Sequence, residues 1–350
     1  MSTWLKNFEF KKKYQDFIVE EKINIPVKDT WHVFFVFFEK KWLNTMDVID
    51  FLTKWLNLQR KHFWIGWLKD KIWITRQWIS IYKRTLNSRW WKAKLLKLLW
   101  SKTRILKYGW WDRLLKVGDN IWNLFFIRLR WKKRFSTEQK TKILELLKQE
   151  DMKLFPNFFG LQRFWQWFQN VKLAYKMLSG QIKIKKEFER QFKLQAFSSL
   201  LFNFYMYQRI KSGNLFRILE GDIWISQEGE ISKWKQSFIF LDKNTKELNY
   251  TWPVYGADLL LPKENSESYV FEKSVINKFF NDFDLDEGKV LKFYEQNEVF
   301  WIRRNGLCKV NDLRAKWQWN DLLLMFELPS GSYASVFVWR IDRKVGEVIG

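Results

Sequence analysis

The chain has 350 residues, 47% of them apolar, which is enough to core two domains and too apolar for a disordered chain. Its 62 Lys and Arg against 38 Asp and Glu give a formal charge of +24, which favours a polyanionic partner, most commonly nucleic acid. Cys308 is the one cysteine and His32 and His62 the two histidines, which excludes an intramolecular disulfide and a His-Cys zinc site and points to a reducing compartment.

Phe17 to Val19 and Val33 to Phe38 are rich in Phe and Val and predict buried strands. Lys6 and Lys11 to Lys13 interrupt the early apolar residues, so no signal core forms. Val33 to Phe38, the longest apolar run, is too short to cross a bilayer. A soluble, cytoplasmic protein with no membrane partner is expected. Asn44 or Thr45 can cap a helix to about Leu56, with Ile49, Leu52 and Leu56 on one stripe. His62 to Ile65 and Ile79 to Tyr82 predict short strands flanking Leu68-Lys69-Asp70-Lys71, and Leu124 to Leu129 predicts another. Ser136 and Gln139 make a capping box ahead of a helix through Gln149.

From about 179 to 312 the character changes. Lys183-Ile184-Lys185-Lys186 leads into a helical pattern from Phe188 to Ile210, followed by polar loops at 242–249 and 262–269 and an acidic loop at 282–288. Asp282, Asp284 and Asp286 alternate as in a calcium loop, but the glycine comes one place late and the twelfth position is Phe293, so a solvated loop is expected there. Residues 321–340 return to strand-like and turn-like sequence. This layout predicts one domain, 1–178 with 313–350, into which a second, 179–312, is inserted.

Charge is concentrated. Lys71 to Phe135 holds 18 basic residues and two acidic ones, Asp112 and Asp119, interleaved with apolar stretches such as Lys94 to Leu99. Such a segment can fold and present its charge as a surface that tracks a phosphate backbone.

No Ser-His-Asp or Cys-His set can be assembled, and no phosphate-binding glycine loop is present. Chemistry must run on carboxylates, lysines or aromatics. Asp70 stands between Lys69 and Lys71 after an apolar strand, and neighbouring cations favour an ionised carboxylate that can act as a nucleophile. An ordinary turn aspartate fits the same local residues.

Five blocks, in order, resemble the TruD family of pseudouridine synthases. Ile65-Gly66-Trp67-Leu68-Lys69-Asp70-Lys71, with Thr75 and Gln77, resembles the family's catalytic motif. Asp16-Phe17-Ile18-Val19-Glu20-Glu21 resembles its N-terminal strand, and Pro156-Asn157-Phe158-Phe159-Gly160-Leu161-Gln162-Arg163-Phe164 its Pro-Asn-Tyr-Phe-Gly-x-Gln-Arg-Phe signature. Phe197 to Arg209 resembles the helix opening the inserted domain, and Leu328-Pro329-Ser330-Gly331-Ser332-Tyr333-Ala334 the C-terminal loop.

The resemblance implies an α+β fold: a pseudouridine synthase domain with a mixed, mainly antiparallel sheet, plus an inserted TruD-type α/β domain. It implies isomerisation of a tRNA uridine, at position 13 of the D-arm, with no cofactor and no metal, and RNA in a basic cleft between the domains. The uridine is flipped into a pocket. Asp70 would be the nucleophile and Phe159 the pocket's aromatic. Asn157, Gln162 and Arg163 would shape the pocket or hold RNA, and Lys69 and Lys71 would neutralise phosphate. Glu21 matches an acidic position, with structural support as an equal alternative. A non-catalytic RNA-binding protein or RNA chaperone on the same fold is the competing expectation.

The chain departs from the family in carrying 24 Trp and only 14 Gly. Trp42, Trp67, Trp122, Trp165 and Trp252 stand where the family has glycine, as do Trp64, Trp167 and Trp301. A gene from an organism that reads UGA as glycine, translated as though UGA meant tryptophan, accounts for the pattern. Trp339-Arg340 also departs from the family's Arg-Glu, so no role is carried onto Arg340.

Overall fold

The computed structural model describes all residues except 1–4, 24–31, 67–72, 86–89, 117–118, 133, 165–167, 226–237, 242–249 and 350. The chain forms two compact units. The first comprises 1–153, 309–334 and 338–350, and the second comprises 154–308 and 335–337.

Alternating and continuous apolar runs build the strands of the first unit. They are β1 (Phe8–Phe10), β2 (Phe17–Lys22), β3 (Val33–Lys40), then after helix α1 (Thr45–Leu56) β4 (Phe63–Ile65) and β5 (Ile74–Tyr82). Helix α2 (Trp91–Lys102), β6 (Arg104–Trp111), β7 (Trp122–Trp131) and α3 (Thr137–Lys148) follow. The chain then enters the second unit with β8 (Leu154–Pro156), α4 (Gln169–Leu178), α5 (Glu187–Lys211), β9 (Ile223–Ile225), β10 (Phe238–Phe240) and β11 (Thr251–Val254). Next come α6 (Glu267–Asp282), α7 (Glu287–Gln296), β12 (Ile302–Asn305) and β13 (Leu307–Lys309). β14 (Asn311–Gln318), β15 (Asp321–Pro329) and α8 (Ala334–Ile349) complete the chain.

Strand order in the main sheet is β14-β15-β7-β2-β5-β3-β6, with β1 added to β7 and β4 to β5. Only β2 and β5 run parallel among its described pairs. β3 is buried along its whole length. On one side Phe34, Val36 and Phe38 pack with Val48, Ile49 and Leu52 of α1 and Leu95 and Leu99 of α2; on the other, Phe35 and Phe37 meet Trp78, Trp111 and Leu115. In β7 the period of two is plain: Phe125, Ile127 and Leu129 are buried, while Phe126, Arg128 and Arg130 lie half-buried on the opposite face. Asp342 of α8 ties down the N-terminal segment, its carboxylate accepting from the backbone N–H of Lys6, Asn7 and Phe8 at 2.7, 2.9 and 3.1 Å.

The second unit is cored by α5, whose Leu194, Phe197, Leu201, Tyr205 and Met206 pack with Val275, Ile276 and Phe279 of α6 and with the antiparallel sheet β10-β9-β11-β12. Two buried ion pairs brace it, Arg209 with Asp222 and Arg303 with Glu272, all four side chains fully buried.

Helices α1 and α3 start where capping chemistry places them: Asn44 N–H donates to Asp47, and Ser136 and Gln139 exchange both bonds of a capping box. Other expectations need correction. Residues 334–340 are the first turns of α8, whose buried Phe337, Val338, Ile341 and Val345 follow a helical period rather than a strand or turn pattern. The loop expected at 262–269 ends in the helix cap of α6, where Ser266 Oγ accepts from Tyr269 N–H at 3.2 Å. The loop expected at 242–249 lies outside the described residues. The second compact unit, 154–308 with 335–337, takes in α4, whose Val171, Ala174 and Met177 share the core of α5.

Among the described residues no helix is long and apolar enough to cross a membrane, and no group of His, Cys, Asp and Glu could hold a metal ion.

Candidate active site

Asp70, Lys69 and Lys71 lie outside the described residues, as do Trp67, Trp165 and Trp167. What is described is the framework around them. β4 ends at Ile65 and β5 begins at Ile74, so the motif spans a connection between two strands paired antiparallel, Ile65 opposite Ile79. Ile74 itself pairs with Ile18 of β2.

Glu21, at the far end of β2, is buried, and its Oε2 accepts from the Trp78 N–H of β5 at 3.0 Å. A Cβ on Gly66 would stand 3.7 Å from Glu21 Oε1 and 3.6 Å from Asn120 Cβ, in ordinary van der Waals contact with both. Asn120 in turn donates to Asn123 Oδ1 at 3.0 Å, and Asn123 is the strand partner of Glu21. The Glu21–Asn120–Asn123 cluster therefore packs beside Gly66, the last described residue before Asp70. Thr75 and Gln77 are buried at its other end, and Gln77 Oε1 accepts from Thr45 Oγ1 of α1 at 2.9 Å.

A hollow of about 470 Å³ opens on the half-buried face of the same sheet. Ile18, Phe126, Leu323 and Met325 make an apolar floor, and Arg128, Arg314 and Lys316 a basic rim.

In the second unit the Pro156–Phe164 block builds a separate constellation. Asn203 of α5 clamps Phe159 by both main-chain groups: Phe159 N–H donates to Asn203 Oδ1 at 2.7 Å, and Asn203 Nδ2 donates to Phe159 O at 2.9 Å. The Phe159 ring, half-buried, meets Phe202 edge-on at 5.3 Å. The Arg304 guanidinium lies 4.3 Å from the ring centroid and that of Arg163 5.9 Å. Two cations near one aromatic ring make its surroundings electropositive.

Asn157 is buried and orients Arg304, accepting from its Nε at 3.2 Å and its Nη2 at 2.6 Å; its own N–H donates to Gly306 O at 2.8 Å. Gly306 is needed there, because a Cβ would run into the Tyr250 ring. Arg163 is held on α5 by Ser199 Oγ and Gln195 Oε1, each at 3.2 Å. Gln162 accepts from Ser335 Oγ at 3.2 Å.

Within this unit the structure thus brings together Asn157, Phe159 and Arg163, while Gln162 is engaged with Ser335. Sequence reasoning missed Arg304 and gave Asn203 no role. Nothing local marks either: Arg304 is 147 residues from Asn157 and Asn203 is 44 from Phe159.

The sequence matches the family model described as tRNA pseudouridine synthase D (TruD) over residues 7–183 and 181–341. It is 26% identical over 338 residues to the tRNA pseudouridine synthase D of Pseudoalteromonas atlantica, covering 93% of this chain and 90% of that protein. It is 27% identical over 337 residues to that of Photobacterium profundum, covering 93% and 88%. The crystal structure of a Methanosarcina mazei protein titled as a tRNA pseudouridine synthase D shares the fold, with a TM-score of 0.65 at 19% identity over 98% of this chain and 95% of that one. With two matched segments running from residue 7 to 341 in a structure of the same architecture, the chain belongs to the tRNA pseudouridine synthase D (TruD) family.

Proposed function

We propose that this protein is a tRNA pseudouridine synthase: it isomerises a tRNA uridine to pseudouridine, and Asp70 is its nucleophile. The family match over almost the whole chain carries the reaction. The nucleophile rests on the Lys69-Asp70-Lys71 motif, in which a carboxylate stands between two cations in the sequence. The N1–C1′ bond of the target breaks, the uracil turns, carbon 5 joins C1′ and loses its proton while N1 gains one, and Asp70 is released unchanged, so atoms balance and no cofactor is consumed.

A stacked or paired base cannot be reached, so the uridine must be extruded and held. Phe159 is the proposed stacking face, and the guanidiniums of Arg304 and Arg163 beside it suit the charge of the flanking backbone. Glu21 supports the Asp70 segment rather than touching RNA, since it is buried against Gly66. The first unit is the catalytic domain and the second the inserted one. The target is uridine 13 of the D-arm, and the protein works in the cytoplasm.

The test is pseudouridine mapping on unmodified tRNA transcripts with the wild-type protein and Asp70→Asn. Pseudouridine at one D-arm uridine, absent with the variant while tRNA affinity is kept, is the expected result. Binding without pseudouridine in either protein would instead establish a non-catalytic RNA-binding protein.

A further inference from the structure

The basic segment singled out in the sequence lies in the first unit, and its middle part folds into α2 and β6. From Lys71 to Trp111 there are eleven Lys and Arg and no Asp or Glu, so none of these cations has an acidic neighbour within its own segment. α2 buries Leu95 and Leu99 against α1. Its opposite face presents Trp90, Lys94, Lys97 and Ser101, all exposed, at the three- and four-residue spacing of one helical stripe. Among the described residues β6 is an edge strand, paired with β3 alone, and it exposes Arg104, Lys107 and Tyr108.

Packing joins helix and strand into one surface. The Lys92 ammonium lies 5.2 Å from the ring centroid of Tyr108 in β6 and 5.4 Å from that of Phe34. Lys102 lies 5.3 Å from that of Phe51 in α1. None of Lys92, Lys94, Lys97, Lys102, Arg104 and Lys107 forms an ion pair among the described residues. A lysine on a sheet edge guards it against aggregation, but this surface carries six cations, four of them on a helix.

Register relates the surface to the proposed chemistry. Glu39 of β3 faces Arg104 on one side and Arg76 of β5 on the other. Arg104 is therefore two strand spacings, about 10 Å, from Arg76, at the end of the sheet where β5 follows the segment carrying Asp70. A chain of phosphates leaving the target nucleotide toward this edge would meet cations that form no ion pair among the described residues.

We propose that the α2–β6 edge docks the phosphate backbone of the substrate RNA outside the target nucleotide. The proposal rests on the reading of the chain as a tRNA-modifying enzyme. It gives the protein a second, sequence-independent hold on the body of the RNA, with counterion release as its driving force.

The test is the triple variant Lys94→Gln, Lys97→Gln, Arg104→Gln. Its Kd for an unmodified tRNA transcript is measured against salt, beside a control with the same charge change at exposed Lys148, Lys211 and Lys289. The expected result is a Kd raised about tenfold or more and a log–log salt slope shallower by roughly 2, with the control unmoved. A D-arm stem-loop lacking the rest of the tRNA should lose less affinity than the full transcript. Unchanged Kd and slope, or an equal effect from the control, would overturn the proposal.

Lysine acetylation footprinting of the wild-type protein gives a readout that no variant's folding can disturb. Lys94, Lys97 and Lys107 should be protected by tRNA, and their full reactivity in the complex would equally overturn it. Both measurements read binding. The surface can therefore fail while pseudouridine still forms, and pseudouridine mapping can fail while the surface stands.

Discussion

At the scale of single residues, two positions show how much can hang on one side chain. Asn203 holds Phe159 by two hydrogen bonds to its main chain, so Asn203→Leu is expected to cost about 2 kcal/mol of stability, roughly 1 for each bond. It should also lower kcat/KM about tenfold or more, as the stacking ring loses its place. Urea denaturation and single-turnover kinetics check the two effects. A loss of stability with unaltered kcat/KM would remove Phe159 from the mechanism.

Trp42 and Trp319 sit at φ of 58° and 60°, in the left-handed region that favours glycine, with side chains 54% and 88% exposed. Trp42→Gly and Trp319→Gly should each stabilise the protein by about 1 kcal/mol, since the Cβ penalty is relieved and little packing is lost. A lower denaturation midpoint in either variant would contradict this. Trp252 is the buried counterpart: it stacks 3.1 Å, centroid to centroid, on Tyr205, and its indole N–H has no partner among the described residues. Trp42 and Trp252 are two of the positions whose sequence pattern suggested UGA-encoded glycine. The intact mass of the protein from its native host decides between the two residues.

At the scale of elements, the ion pairs of the second unit set a pH dependence. Glu272 of α6 is fully buried, and desolvation pushes its carboxyl up to about 7 despite the opposing charge of Arg303 at 2.8 Å. Its Oε2 has no hydrogen-bond partner among the described residues, which leaves part of the carboxylate charge unsolvated. The folded-state value lies above the unfolded one. Between about pH 4.5 and 7 the folded protein therefore holds a proton that the unfolded chain has released, and this group's contribution to stability falls as pH rises through that window. Glu272→Gln cannot ionise, so its melting temperature should fall less than the wild type's between pH 5 and pH 7.5, by a few degrees. Parallel pH profiles from differential scanning calorimetry would show that Glu272 does not carry the effect.

The elements also show which patterns could be read locally. α1 and α3 were legible because an N-cap and a three-residue return bond are confined to one turn. The helical start of α8 was not, because Ser330 to Tyr333 ahead of it has turn composition, and what recruits residues 334–340 to a helix is burial of Phe337, Val338 and Ile341. Propensity yields to packing where an amphipathic face has a core to cover.

At the scale of the whole molecule, the sequence by itself determined the α+β class, the polyanionic partner, the family, and the linear motifs that carry Asp70 and Phe159. These are legible because composition and short motifs are properties of adjacent residues, and because the capping and strand periods act over one or two turns. Only the tertiary structure decided that α4 belongs to the second unit, that Arg304 and Arg163 converge on the Phe159 ring, that Glu21 is buried against Gly66, and that α2 and β6 merge their cations into one surface. Each of these joins residues far apart in sequence. Such contacts depend on which apolar faces are buried together, and a period of two or of 3.6 says that a face is apolar without saying what covers it.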